Sequence, residues 1–379
     1  MAAPYGRLRI VRVEQGKRRI MTEAVYRTIA EKLSGEIAAG KYADAGKLPS
    51  AGTLARRFGV ARETIRHALE QLHLKGIIAS RKGAVAFITE RANRCTGLIG
   101  LLMPEITFAQ VFQRFANEVV LVGEKFGYSV LLGDVSSAPA AEKAALVKRF
   151  AQDFAKRRVE GVIFRPMVDN RYRKVNQEVV RILKDAGVPI VLIDCDIVQS
   201  PERSDLDVIG INNVDAGRRI AAHLLATGRR RIAFLVSGPP SVNRRNRLTG
   251  VAGEVIASGG RWDDDSVIGV APDNVGKVRR LMARPDAPDA IVCGNDEYAI
   301  RMIRSLTRLG FRVPEDVAVV GFDDDVCARI FTPQLTTISQ PAKLIAEAAF
   351  RALLARVRGS TVQPREILVA APLIVRQST

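Results

Sequence analysis

The 379-residue chain reads as two unlike modules in series: a small α+β head of three helices and a hairpin, then a larger α/β body of two lobes on parallel sheets. Three observations predict this. The apolar period changes near Gly97, from helical spacing before it to short unbroken apolar runs after it. Amphipathic helical stretches separate many of those runs, which is the pattern of strands buried on both faces of a parallel sheet. Charge divides the chain at the same place. Lys and Arg number 58 against 40 Asp and Glu, a net +18. Residues 1–94 carry 19 against 8 (+11), and the remaining 285 carry 39 against 32 (+7). A basic excess gathered into one quarter of a chain points to a polyanionic partner, nucleic acid first.

Composition excludes several classes. With 47% hydrophobic and 26% charged residues the chain is an ordinary globular one, not a disordered one. It has no run of about 18 apolar residues to span a membrane. Residues 1–19 are basic without an apolar centre, so they read as a flexible basic tail rather than a secretory leader. Cys95, Cys195, Cys293 and Cys327 are too dispersed for a disulfide framework or a zinc site, and a reducing cytoplasm fits them. No phosphate loop, G-x-G-x-x-G, H-E-x-x-H or G-x-S-x-G text occurs, and His67, His73 and His223 belong to no catalytic pattern. No cofactor, metal or catalytic residue is expected, and Asp263–Asp265 reads as a surface turn.

In the head, Val25, Ile29, Leu33 and Ile37 form one apolar stripe that Gly40 ends. A turn-rich connection leads to a short helix at Leu54–Phe58, Gly59 makes a tight turn, and a third helix spans Ala61–Leu74. In that helix Ile65, Ala68, Leu69 and Leu72 make the buried face. Arg62, Glu63, Thr64, Arg66 and His67 fall elsewhere, mostly near its start. The text IIASRKGAVAFI reads as two short strands around Lys82-Gly83. Three helices and a basic hairpin are the layout of a winged helix-turn-helix.

The stretch LPSAGTLARRFGVARETIRHALEQLHLKGII, within residues 20–90, resembles the GntR family of bacterial regulators. The resemblance implies that the third helix enters the major groove of duplex DNA, with Arg62 and Arg66 on phosphates or guanine edges. Ser50, Thr53, Glu63, Thr64, His67, Lys82 and Gly83 complete the implied DNA-contacting set. The chain departs from the family at three places. Ala61 stands where Ser usually caps the helix, Gly52 where a basic residue is frequent, and Val85 where the wing tip usually has a second glycine.

Residues 91–97 are a polar linker, and residues 98–379 form the body. Apolar runs at LIGLLM, YSVLLG, GVIF, IVLID, VIGI, RIAFLV, SVIGV, AIVCG and VAVVGF predict eight or nine strands. A break at Asp196–Asp207 divides them into two groups of about four, hence two lobes with a cleft. Ligands of such sheets lie beyond the carboxyl ends of the strands. There stand Arg165, Asp194, Asn295 with Asp296, and Asp323, residue types that pair hydrogen bonds with vicinal hydroxyls.

From about Gly97 to Ser378 the body resembles the effector domain of the lactose/galactose repressor family, itself similar to periplasmic sugar-binding proteins. The resemblance is carried by HLLATGRRRIAFLVSG, the Arg247-Leu248-x-Gly250 turn, CGNDEYAI, VPEDVAVVGFDDD, PQLTTISQP and PLIVRQS. It implies an effector held by Arg247, Asn295, Asp323 and Asp194, with Gln340 where the chain returns to the first lobe and Phe112 as a stacking face. After the first strand the family frequently has Asn-Pro-Phe-Phe. This chain has Ala109-Gln110-Val111-Phe112, and Arg165 with Arg247 opens the possibility of a sugar acid.

The pairing of head and body resembles the arabinose-repressor type of chimera. It implies a homodimeric, cytoplasmic transcription regulator, a repressor on a palindromic operator that a carbohydrate or sugar-acid effector releases. Two alternatives stand beside it: an enzyme fused to a DNA-binding head, and a transport-type sugar-binding protein.

Overall fold

The computed structural model of the protein describes residues 25–379 except 27, 38–39, 43–44, 75, 81–85, 89–95, 108–109, 200 and 237–240. The expected basic tail, the hairpin tip with Lys82 and Gly83, and most of the linker lie outside the described residues.

The head follows its apolar stripes. Helix α1 (28–37) buries Ile29, Ala30, Leu33 and Ile37, α2 (Ala51–Phe58) buries Leu54 and Ala55, and α3 (Arg62–Leu74) buries Ile65, Ala68 and Leu72. With Leu48, Ile77 and Ile78 these side chains close one small core. Val25, the first member of the expected stripe, is instead 41% exposed. Gly59 ends α2 at φ +66°, a left-handed turn that costs glycine little, and α3 starts three residues later. Strands β1 (Ile78–Ser80) and β2 (Ala86–Ile88) pair antiparallel, completing a winged helix-turn-helix.

The first lobe contains β3 (Leu98–Leu102), α4 (Gln110–Lys125), β4 (Ser129–Gly133), α5 (Ala140–Lys156), β5 (Gly161–Phe164), α6 (Arg173–Asp185), β6 (Ile190–Ile193) and β7 (Asp207–Ile211). The second contains α7 (Asn213–Ala226), β8 (Ile232–Leu235), α8 (Val242–Ala257), β9 (Val267–Ile268), α9 (Val275–Met282), β10 (Ala290–Cys293), α10 (Asp296–Arg308), β11 (Ala318–Asp323), α11 (Val326–Ile330) and β12 (Thr336–Ser339). The chain then returns. Helix α12 (Ala342–Val357) packs on α4 and on β5–β7, β13 (Glu366–Val369) joins β7, and β14 (Leu373–Ile374) crosses back to β12.

Sheet orders are β4-β3-β5-β6-β7-β13 and β9-β8-β10-β11-β12-β14, parallel throughout except for β14. In each lobe the order reverses beside the lobe's first strand, between β3 and β5 and between β8 and β10. Both crevices open at carboxyl ends, where doubly wound sheets take their ligands.

The structure corrects three expectations. The lobe boundary is not at Asp196–Asp207 but at Asn212, because β7 belongs to the first sheet. There Asp207, 1% exposed, accepts from Arg356 Nε at 2.7 Å, Arg356 Nη2 at 3.0 Å and the Arg365 amide at 2.8 Å. Strands β12, β13 and β14 escape the apolar-run reading because one begins Thr-Thr and the other two are short, half-buried edges. The Arg247–Gly250 text is not a turn but the middle of α8.

Candidate functional site

In the head, Ser50 is structural first: its Oγ caps α2 by accepting from Thr53 N at 3.2 Å, and its hydroxyl lies 2.9 Å from that of Thr53. Arg62, the first residue of α3, lays its guanidinium across Gly52 of α2, where an added Cβ would stand 3.0 Å from Nη2. The glycine that replaces the family's basic residue therefore makes room for an arginine from the next helix. Arg66 projects from the outer face of α3, its side chain 64% exposed, with Nε 3.1 Å from a Glu63 carboxylate oxygen. His67 leans on the Tyr26 ring at 5.6 Å and stands between Glu63 and Glu70. Thr64 is a correction. It lies on the inner face of α3, 8% exposed, one turn before buried Ala68, and does not share the outward face of Arg66.

In the body, the strand-end residues converge. Arg165 follows β5 and is 4% exposed, with Nε 3.2 Å from Asp194 Oδ2 and Nη1 3.4 Å from Glu105 Oε2. Its guanidinium carbon lies 3.8 Å from the centre of the Phe112 ring. Phe112 thus offers that face to an arginine rather than to a ligand. Asp194, held at φ +72°, spans the lobes: Asn243 Nδ2 of α8 donates to its Oδ1 at 2.6 Å. One turn along α8, Arg247 is 7% exposed. It donates from Nε to Asn213 Oδ1 at 2.8 Å and from Nη1 to the Gly294 carbonyl at 2.7 Å, with its guanidinium 3.4 Å from the centre of the Phe322 ring.

Asp323 ends β11 at φ +115°, a conformation an L-residue keeps only when its surroundings enforce it. Its Oδ1 accepts from Gln340 Nε2, and its carbonyl accepts from Arg114 of α4. Burial pushes the Asp323 carboxyl up to about 8, against the opposing pull of Arg247 and with added repulsion from Asp296 and Asp325. The turn that follows is clamped by Asp296. Gly321 leaves the space its carboxylate fills, and that carboxylate accepts from Thr337 Oγ1 at 2.6 Å and from the Asp325 amide at 2.7 Å. Asn295 caps α10, its Oδ1 accepting from Tyr298 N at 2.9 Å, which leaves its amide nitrogen to donate elsewhere.

Sequence reasoning missed Asn213, Asn243, Glu105 and Arg114. Asn243 was within reach, since it stands four residues before Arg247 on the same helical face. Glu105 and Arg114 join only through tertiary closure. Asp194 lines both a small hollow beside Phe112, Arg165 and Gln340 and a cavity of about 400 Å3 walled by Asp196, Asn212, Asn213, Asn243 and Asn246. Arg247, Asn295 and Asp323 line neither of these two hollows. Among the described residues no group of His, Cys, Asp or Glu could hold a metal ion, and no helix is long and apolar enough to cross a membrane.

Residues 25–88 match the bacterial regulatory proteins of the gntR family, and residues 221–379 match the periplasmic binding protein-like domain. The uncharacterized HTH-type transcriptional regulator in the aml 5′ region of Streptomyces limosus is 30% identical over 304 residues, 77% of this chain and 81% of that one. The chain belongs to the HTH-type transcriptional regulators. The HTH-type transcriptional regulator CelR of Thermobifida fusca is 28% identical to this regulator over 326 residues, covering 84% of this chain and 89% of CelR. A solved CelR–cellobiose complex shares its fold, with a TM-score of 0.64 at 24% identity, covering 88% of this chain and 100% of that one. These relatives are named as transcriptional regulators. The regulator therefore joins a GntR-type DNA-binding head to a sensor of the lactose/galactose-repressor type.

Proposed function

We propose that this regulator is a homodimeric repressor whose heads (20–90) read a pseudo-palindromic operator and whose sensor (98–379), joined by a linker at 91–97, is dimerised and releases DNA when a small polyhydroxylated effector closes the cleft. One observation carries the effector half: Arg165, Asp194, Asn243, Arg247, Asp323 and Gln340, drawn from both lobes and the returning chain, meet across one interface. Paired donors and acceptors on opposing walls suit a ligand rich in hydroxyls. That a CelR of this fold is solved with cellobiose supports the same chemical class. The head half rests on the outward face of α3, where Arg66 reads bases or grips phosphates while Arg62, anchored over Gly52, reaches the backbone of the same groove. Two such helices in a dimer sit about 34–36 Å apart, in successive major grooves.

The test is fluorescence anisotropy of the full chain on duplex DNA from upstream of its own gene, with and without a panel of sugars. Binding that weakens steeply with salt, and falls by roughly 5–150-fold when an active sugar is added, is the expected outcome. Arg66→Ala should flatten the salt dependence if that side chain holds phosphate, or relax selectivity between operators if it reads a base. A chain that binds no duplex, or whose binding no ligand alters, would refute the proposal.

A further inference from the structure

We propose that the effector is a 6-deoxyhexose whose terminal methyl group seats in the small hollow of the first lobe beside Phe112, Arg165 and Gln340. This rests on the cleft being the effector site. Met103 after β3, Val111 and Phe115 of α4, Ile193 at the end of β6, Ile211 at the end of β7 and Ile345 of α12 line the hollow, and each is less than one tenth exposed. Its volume of about 30 Å3 admits a group or two of the size of water or methyl, but not a sugar ring. The sequence accounts for the space. Val111 stands third in Ala109-Gln110-Val111-Phe112, where the Asn-Pro-Phe-Phe text of the family has an aromatic ring, and the smaller side chain leaves room. Phe112, the aromatic that is kept, lies under the Arg165 guanidinium at 3.8 Å.

The polar groups that share this lining are Arg165, Asp194 and Gln340. They are held by one another and by their neighbours: Arg165 Nε lies 3.2 Å from Asp194 Oδ2, Asn243 donates to Asp194 Oδ1 at 2.6 Å, and Gln340 Nε2 donates to Asp323 Oδ1. They keep spare capacity for ring hydroxyls, since a carboxylate accepts about four hydrogen bonds and a guanidinium donates five. The six apolar side chains have no such capacity. A methyl group set against them leaves water and gains packing contacts. A hydroxymethyl group in the same place gives up its hydrogen bonds to water and finds no acceptor among those side chains. The part of the sugar that enters the hollow is therefore the carbon without an oxygen, while its hydroxylated ring meets Arg165, Asp194 and Asn243.

Calorimetric titration of the full chain at pH 7 with pairs that differ by one oxygen tests the assignment: L-rhamnose and L-mannose, L-fucose and L-galactose, D-fucose and D-galactose, 6-deoxy-D-glucose and D-glucose. In at least one pair the deoxy sugar is expected to bind about tenfold more tightly or better, because an apolar pocket disfavours an added hydroxyl by up to about 100-fold. Val111→Thr, which puts a hydroxyl into the wall, should cut that preference to about threefold or less, and Val111→Phe should weaken the deoxy sugar by filling the hollow. Val120→Thr, on the same helix but half exposed, is the control and should keep the preference. The paired titration of the unaltered protein stands even if a Val111 variant does not fold. Hydroxylated partners bound as tightly as the deoxy sugars overturn the proposal and leave the cleft as the effector site. So does a preference that Val111→Thr and Val120→Thr leave equally intact. Methyl glycosides of D-glucose and D-galactose distinguish the two ends of the ring: a methyl preference confined to them puts the group on the anomeric oxygen and overturns the 6-deoxyhexose. A chain that binds duplex DNA but none of these sugars at 10 mM overturns it too. A chain that binds no duplex DNA brings down the regulator reading beneath it instead.

Discussion

Arg247 reaches the cleft because two glycines let α7 and α8 touch backbone to backbone. A Cβ on Gly250 would stand 2.0 Å from the Val214 carbonyl oxygen, and one on Gly217 would stand 2.1 Å from the Arg247 carbonyl oxygen. Neither clash can be relieved by rotating a side chain, since both partners are main chain. The tight crossing is also what brings Asn213, one turn before Gly217, to the Nε of Arg247. Gly250→Ala is therefore expected to push the helices apart and destabilise the second lobe by about 3 kcal/mol. It should also part Arg247 from Asn213 and weaken effector binding. Gly253 lies on the same helix with nothing within 4 Å of an added Cβ. There the same substitution should stabilise by up to about 1 kcal/mol through helix propensity alone. Urea unfolding of the two variants checks this, and equal midpoints would mean that the helices can part freely.

At the scale of the element, α3 starts imperfectly. The carbonyl of Ala61 accepts from the amides of Thr64 and Ile65, the position of a helix cap, but Ala has no side-chain oxygen for the free amides of the first turn. Ala61→Ser should raise head stability by about 1 kcal/mol, read as a higher urea midpoint, with the gain absent in Ala61→Val. This was legible in the sequence, as were the helix stripes and nearly all the central strands, because local period and turn chemistry specify them. The charged network behind α2 was not. Glu36 of α1 accepts from Arg57 and from Tyr42 at 2.6 Å, and Arg57, foremost, holds its carboxyl down to about 2. Arg57 stands 21 residues from Glu36, and nothing in that spacing announces the pair. The strand-end residues of the site were legible for the opposite reason, since doubly wound topology fixes where a strand ends. Thr64 was misassigned by its polar neighbours, although it stands four residues before Ala68 and eight before Leu72, the helical spacing that puts it at the edge of the buried face.

Beyond the head, the molecule is a pair of lobes between which the chain crosses three times, joined at two further places flanking the cleft. Asn243 to Asp194 is one. At the other, Arg114 of the first lobe donates to the Asp323 carbonyl and to Asp325 Oδ1 at 3.2 Å, and Gln110 Oε1 accepts the Val326 amide at 3.2 Å. Helix α4 carries both this latch and Phe112, which lies under Arg165, so the seat of Arg165 and the contact between the lobes share one element. The latch is not fully satisfied: Arg114 Nε is buried without a hydrogen-bond partner among the described residues, which suits a contact that must open as well as close. Removing it with Arg114→Ala should favour the open form. An ion pair this exposed contributes about 1 kcal/mol, so the half-saturating effector concentration should rise about fivefold while operator affinity without effector stays level or increases. Small-angle scattering should show a larger radius of gyration in the effector-free variant. Asp325→Asn should reproduce much of the effect, and the double variant should add little to it, because both substitutions break one contact. Fully additive effects, or a radius that does not change, would mean that Arg114 acts on Asp323 locally rather than on the closure of the lobes.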